Sequence, residues 1–336
     1  MILVTGGTGL VGSYLLHSLI SDGCEVKALH REASSFEVTK RIFGYMSDNS
    51  GQLIERLQWV KGDLLDIQSL TEALEGVDEV YHCAAIISFD PREKAKMMQS
   101  NIEGTSNLVN ACLAKGVRKI CHVSSIAALG RAENDGYIDE RTQWKPSRNN
   151  SGYAISKYGA EREVWRGAAE GLQVVIVNPS VILGAGEPSK SSVRLFHAIR
   201  KHPRFYTAGM NGYVDVRDVV KIMRILMESS ITNKRFVVNS QNLTYRELFG
   251  LIAEHCGTAK PQIRIPGFVL SLAWRIEKLR SLITRKLPLV THETVRTSTN
   301  YYRYSSDGVK KALNVELIPI RQTIEDMCKF MKDEKL

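Results

Sequence analysis

The chain has 336 residues, with 45 Lys and Arg against 36 Asp and Glu, and a formal net charge of +9. Its 43% hydrophobic and 24% charged residues exclude a disordered chain, and its length suffices to bury a sizeable core. No stretch approaches the roughly 18 consecutive apolar residues of a membrane span. The six cysteines (24, 83, 112, 121, 256 and 328) are scattered, with no Cys-x-x-Cys pair and no His at metal-ligand spacing. Neither a metal site nor a disulfide framework is expected, and the expected compartment is the reducing cytoplasm.

Ile2–Thr5 reads as a strand running directly into Thr5-Gly6-Gly7-Thr8-Gly9-Leu10-Val11-Gly12, an opening unlike a signal peptide. A helix follows over Val11–Asp22. Gly-x-x-Gly-x-x-Gly between a strand and a helix is the pattern of a dinucleotide loop. Gly6 permits the tight turn, Gly9 lets backbone approach a pyrophosphate, and Gly12 lets the helix pack closely. The helix N-terminus offers free N–H groups to the phosphates. Gly6, Thr8, Gly9, Leu10, Val11 and Gly12 are therefore expected cofactor contacts.

The strand Val26–Leu29 ends in His30-Arg31. An acidic residue at that end would accept from a ribose 2′-hydroxyl and favour NAD. Arg31 suits a 2′-phosphate instead, so NADP(H) is favoured over NAD(H), although Glu32 beside it counts the other way. Glu25 lies at the wrong end of the strand. The strand Leu57–Lys61 leads to Gly62-Asp63-Leu64, where Asp63 can accept from an adenine amino group, with Leu64 beside it. After the helix Ile67–Leu74, the strand Glu79–Cys83 leads to Ala84 and Ala85, further expected cofactor contacts.

A helix over Lys94–Lys115 carries Asn101, which can either complete a proton relay through water or bond backbone. The strand Lys119–Ser124 delivers Ser124-Ser125 at its C-terminal end, where open α/β sheets place ligands. The helix Tyr153–Glu170 opens with Tyr153-Ala154-Ile155-Ser156-Lys157. Positions four apart share a helical face, so phenol and ammonium can serve one site. Lys157 would favour the phenolate and lower the Tyr153 pKa, and could hold the nicotinamide ribose. A serine hydroxyl at the strand end would polarise a substrate carbonyl. After the strand Gln173–Asn178, Pro179 and Ser180 are expected to line the nicotinamide pocket.

Strand–helix alternation with nearly continuous apolar strands predicts an α/β protein, a Rossmann-type doubly wound parallel sheet. The NAD(P)-binding domain is expected over 1–180, its sheet completed by later segments near 214–240. Residues 181–336 are expected to form mainly a smaller C-terminal α+β lobe that binds substrate. There, helices are expected at Ser191–Lys201, Asp218–Glu228, Tyr245–Cys256 and Ile320–Lys332, and a strand at Phe236–Asn239.

Much of the positive charge sits in Lys260–Lys286, where seven basic residues face one acidic residue, Glu277. Phe268, Leu272, Ile276, Leu279, Ile283 and Leu287 recur there at helical spacing. This stretch is expected to form a lid helix packed on the substrate pocket. The alternative for 268–286 is peripheral contact with anionic lipid. Nucleic acid is not an expected partner, since no binding motif is present and no base-stacking aromatics interleave the basic residues.

Taken together, Thr5–Gly12, Gly62-Asp63-Leu64, His82-Cys83-Ala84-Ala85, Asn101 with Gly104-Thr105, Val123-Ser124-Ser125, Tyr153/Lys157, Asn178-Pro179 and Val214–Asp218 resemble the extended short-chain dehydrogenases/reductases of the NAD-dependent epimerase/dehydratase superfamily. The resemblance covers nearly the whole chain. It implies that Ser125, five positions before Gly130, is the catalytic serine beside Tyr153 and Lys157. Ile126-Ala127 stand where sugar dehydratases carry Asp-Glu, and Arg31 stands where epimerases carry an acidic residue. Both departures point to the dihydroflavonol-reductase-like or 3β-hydroxysteroid-dehydrogenase-like branch. The implied activity is reduction of a small-molecule ketone or aldehyde, or oxidation of the alcohol, by hydride transfer. A nucleotide-sugar epimerase with retained NAD and a non-catalytic NAD(P)-binding sensor or scaffold are the alternatives. The family analogy also implies a homodimer through the helices at Lys94–Lys115 and Tyr153–Glu170.

Overall fold

The apolar runs of the first half become the strands of one parallel sheet. In the computed structural model all residues are described except 89, 132–135, 148–149, 187–195, 197–203, 285–291 and 334–336. The strands are β1 (Ile2–Thr5), β2 (Val26–His30), β3 (Gln58–Lys61), β4 (Glu79–His82), β5 (Lys119–Val123), β6 (Tyr137–Ile138), β7 (Gln173–Pro179), β8 (Val181–Leu183), β9 (Phe205–Tyr206), β10 (Met210–Asp215), β11 (Lys234–Val238), β12 (Gln241–Thr244), β13 (Ile263–Arg264) and β14 (Arg303–Tyr304). The described helices are α1 (Leu10–Ser21), α2 (Glu37–Met46), α3 (Ser50–Glu55), α4 (Ile67–Ala73), α5 (Lys94–Met98), α6 (Gly104–Lys115), α7 (Gly152–Ala169), α8 (Val216–Glu228), α9 (Tyr245–Cys256), α10 (Gly267–Thr284), α11 (His292–Thr299), α12 (Asp307–Leu313) and α13 (Ile320–Asp333).

Seven parallel strands run in the order β11-β7-β5-β4-β1-β2-β3. In β1, Val4 pairs with Ala28 of β2 and Tyr81 of β4. Successive side chains alternate between two cores, as the period of a strand requires. Val4, Tyr81, Cys121, Val123, Val175 and Val177 join Leu15, Leu16, Val219 and Met223 on one face. Leu3, Val80, Ile120, Val174 and Ile176 join Leu70, Leu108, Val109 and Val164 on the other. Burial of both faces is why these strands are apolar nearly throughout.

The chain returns to this sheet after residue 180. β11 pairs with β7, and α8 packs against α1 with Val219, Ile222, Met223 and Leu226 buried. Lys119 Nζ donates to the carbonyls of Leu226 (2.6 Å) and Ser229 (2.8 Å), satisfying the last turn of α8. Beyond it lie a three-stranded sheet, β12-β10-β8, and a helical cluster in which Leu248, Ile252, Ile324, Met327 and Met331 pack together. α9 begins with a capping box between Thr244 and Glu247.

The structure departs from several expectations. α2 and α3 fill the segment between β2 and β3, where the sequence signals no helix. The helix expected at Lys94–Lys115 is interrupted by a π-helical turn, Gln99–Glu103. The helix expected at Ser191–Lys201 lies outside the described residues except Phe196, which is buried. Cys256 and Cys328 are joined as a disulfide with Cα atoms 5.8 Å apart. They are 72 positions apart, and packing of α9 against α13 brings them together, which no spacing rule detects. Finally, the apolar stripe of α10 is not buried as a packed lid would be: Phe268, Leu272, Ile276 and Leu279 are exposed. No described helix is long and apolar enough to cross a membrane.

Candidate active site

A cleft of about 280 Å³ opens at the C-terminal ends of β1, β2, β3 and β4. Gly6 adopts φ +71°, and a Cβ there would lie 2.6 Å from the backbone nitrogen of Ala84. A Cβ on Gly12 would collide with the Gly6 carbonyl oxygen, so both glycines are sterically required. Ser13 Oγ donates to the Gly7 carbonyl at 2.9 Å and Thr39 Oγ1 does so at 3.3 Å, fastening the loop from behind. No side chain caps the first turn of α1. This glycine cradle beneath uncapped helix amides fits a dinucleotide pyrophosphate.

Gly6, Thr8, Gly9, Leu10, Arg31, Asp63, Leu64, Ala84 and Ala85 all line this cleft. Ser34, Ile86 and Ser100 line it as well, without a signal in the sequence. Gly12 is buried and Val11 half-buried behind the loop, while Pro179 and Ser180 lie at the end of β7. Glu32 turns to Lys61 (2.9 Å), so the neighbouring carboxylate does not engage Arg31. Asp63 Oδ1 accepts from the Leu65 amide at 2.9 Å and so also shapes its own turn.

The second cluster forms where α7 crosses the ends of β5 and β7. Ser151 caps α7 by accepting from the Ala154 amide at 2.9 Å. This starts the helix so that the Tyr153 side chain meets that of Ser125, close enough for the two hydroxyls to interact. Ser125 Oγ also accepts from the Ala127 amide at 3.1 Å. Lys157 is buried one turn on, and its Nζ donates to the Val123 carbonyl at 2.8 Å. Burial pushes the Tyr153 phenol above its usual value, and the Ser125 hydrogen bond pulls it partly back. Burial brings Lys157 down to about 8, with Glu161 opposing the shift. The expected lowering of the Tyr153 pKa by Lys157 is not what this geometry produces, because the ammonium is directed at β5 and desolvation of the phenol dominates.

Asn101 sits in the π turn. Its Oδ1 accepts from the Ile86 amide (2.8 Å), and its Nδ2 donates to the Ile86 carbonyl (2.9 Å) and Ser156 Oγ (3.0 Å). The side chain thus bonds both backbone and Ser156, and fixes the loop after β4. Ser180 is buried at the end of β7, and its hydroxyl has no partner among the described residues.

Sequence reasoning misses Glu161, one helical turn beyond Lys157 and buried. Its Oε2 accepts from Ser124 Oγ (2.6 Å) and Asn178 Nδ2 (2.8 Å), and its Oε1 from Arg235 Nη1 (3.1 Å) and Trp165 Nε1 (3.3 Å). The available signal is the spacing Tyr153, Lys157, Glu161, which continues one helical face. His82 and His122 are also buried, with ring centroids 5.0 Å apart. Burial, reinforced by Lys157, holds His82 neutral with a pKa of about 3 and brings His122 well below its usual value.

Comparison with known proteins agrees with this architecture. A model of the NAD dependent epimerase/dehydratase family matches residues 2–239. The chain is 27% identical over 335 residues to Sterol demethylase protein B of Methylococcus capsulatus, covering 98% of each. It is 28% identical over 331 residues to a Synechocystis protein provisionally named a dihydroflavonol 4-reductase, covering 96% of this chain and 92% of that protein. Among solved structures it resembles UDP-glucose 4-epimerase of Thermotoga maritima with UDP-glucose, with a TM-score of 0.77 and 20% identity over 100% of this chain and 99% of that one, a likeness of fold. The chain thus belongs to the NAD dependent epimerase/dehydratase family.

Proposed function

We propose that the chain is an NADP(H)-dependent oxidoreductase that reduces a ketone or aldehyde to the alcohol, or runs that reaction in reverse. The observation that carries this reading is the juxtaposition of the Ser125 and Tyr153 side chains at the C-terminal edge of the sheet, with Lys157 one turn away. The cofactor, held by the Gly6–Gly12 loop, Asp63, Leu64, Ala84 and Ala85, would supply hydride. Ser125 donates to the substrate carbonyl oxygen and polarises it. Tyr153, kept protonated by burial, gives its proton to the same oxygen as charge develops there. Lys157 places a positive charge beneath the site, and Pro179 and Ser180 bound its nicotinamide end. Arg31 and Ser34 suit a 2′-phosphate, which favours NADP over NAD. Glu32 pairs with Lys61, which is consistent with that preference. Relatives named for sterol and dihydroflavonol chemistry make fused-ring, largely apolar carbonyl compounds the first substrates to try.

The test is a thermal-shift comparison of NADP(H) with NAD(H), followed by NADPH consumption across a carbonyl panel. Greater stabilisation by NADP(H) together with turnover supports the reading. Tightly held NAD⁺ surviving purification would favour an epimerase. Binding without consumption would favour a sensor.

A further inference from the structure

The exposed stripe of α10 plays no part in the proposed reaction. Phe268 is 76% exposed, Leu272 58%, Ile276 59% and Leu279 60%. Their spacing of four, four and three aligns them along one side of the helix. The opposite flank, with Leu270, Ala273, Trp274 and Glu277, is partly covered. Single exposed apolar residues need no explanation, but a continuous line of four large ones marks a surface that meets something apolar.

The charge beside the stripe indicates what that is. Arg275 and Lys278 are exposed next to it, and Arg264 is exposed just before the helix. Glu277 is the sole acidic residue of α10, and it is engaged by Arg280 through Nε at 2.8 Å. The exposed face is thus apolar and cationic, with no carboxylate. Two copies meeting symmetrically through it would bring Arg275 and Lys278 of each against those of the other, with nothing on that face to neutralise them.

We propose that α10 docks the protein on an anionic phospholipid surface. The helix lies in the plane of the interface, with Phe268, Leu272, Ile276 and Leu279 among the acyl chains and Arg275 and Lys278 at the phosphates. This goes beyond the proposed reaction and does not depend on it.

The test is flotation of the full-length protein with vesicles of phosphatidylcholine alone and of phosphatidylcholine mixed with phosphatidylglycerol, alongside light scattering. The protein is expected to float with the anionic vesicles only, and less at high salt. Ile276→Glu is expected to abolish flotation, and Arg275→Glu with Lys278→Glu to weaken it on the order of tenfold or more. All three side chains are exposed, and an unchanged melting temperature verifies that each variant is folded. Failure of the folded protein to bind anionic vesicles overturns the proposal. A dimer that Ile276→Glu dissociates, without vesicle binding, would assign the face to a second copy instead. Neither measurement needs cofactor or turnover, so a chain lacking reductase activity still answers the question.

Discussion

Ser124 Oγ donates to Glu161 Oε2 at 2.6 Å, and both residues are buried. Asn178 Nδ2 reaches the same oxygen at 2.8 Å and also the carbonyl of Ser125 at 3.1 Å. Arg235 of β11 holds the other oxygen. One carboxylate therefore ties the ends of β5 and β7 to β11 directly beneath Ser125. Breaking a buried charged network of this kind is costly because its partners lose their acceptor.

Glu161→Gln keeps the shape but removes the charge facing Arg235. The expected result is a fall in kcat of roughly tenfold, with KM changed far less, because Ser125 is mispositioned while the cofactor cleft is untouched. A second readout separates positioning from simple support. Glu161 opposes the lowering of the Lys157 pKa, so the variant's alkaline limb, near pH 8 in the parent, should move to lower pH. A pH–rate profile with an unshifted limb would make Glu161 structural only.

Tyr153→Phe deletes the proton donor and the partner of Ser125. Turnover should fall by about 10²–10⁴-fold, while NADPH still raises the melting temperature. Full turnover in this variant would remove Tyr153 from the mechanism.

Arg31→Ala should weaken NADPH binding by on the order of tenfold or more and leave NADH binding nearly unchanged, since charge-assisted hydrogen bonds of about 1.5–3 kcal/mol are lost only with the 2′-phosphate. Titration of both cofactors against parent and variant measures this. Equal effects on the two would make Arg31 a solvated loop charge.

Asp218 tests a feature remote from the chemistry. It is buried, accepts from the Ile318 amide at 2.7 Å, and burial raises its pKa to about 6. The folded chain thus holds a proton that the unfolded chain releases between the usual carboxylate range and about pH 6. Stability from this group falls as pH rises through that window. Asp218→Asn keeps an acceptor for Ile318 and removes the buried charge. It should melt above the parent at neutral pH, by about 3 kcal/mol at most, with the gain vanishing below about pH 4. A gain independent of pH in thermal melts would contradict this account of the charge.

The legible parts of the fold are those encoded locally. β1, β2, β4, β5 and β7 end within about a residue of their apolar runs, because strands buried on both faces have little polar sequence until they leave the sheet. The glycine loop and the Tyr153/Lys157 pair are legible because their chemistry depends on short spacings. α2 is not, because its interior contact rests on Val38, Ile42 and Phe43 within a polar, largely exposed segment. Glu161 acts through Ser124 and Arg235, 37 and 74 positions away, and no local pattern announces such a network. The α10 periodicity identifies an apolar face correctly but does not say whether that face turns inward or toward solvent. The burial of each flank in the folded chain decides it.

The central claim is net hydride transfer at the Ser125–Tyr153–Lys157 site. The direct measurement uses NADPH deuterated at both C4 positions with a carbonyl substrate that the panel identifies, followed by mass spectrometry of the product. The account predicts an alcohol carrying one deuterium on the former carbonyl carbon, formed by the parent and lost with Tyr153→Phe. An unlabelled product, or labelled alcohol formed equally by the Tyr153→Phe variant, would contradict it.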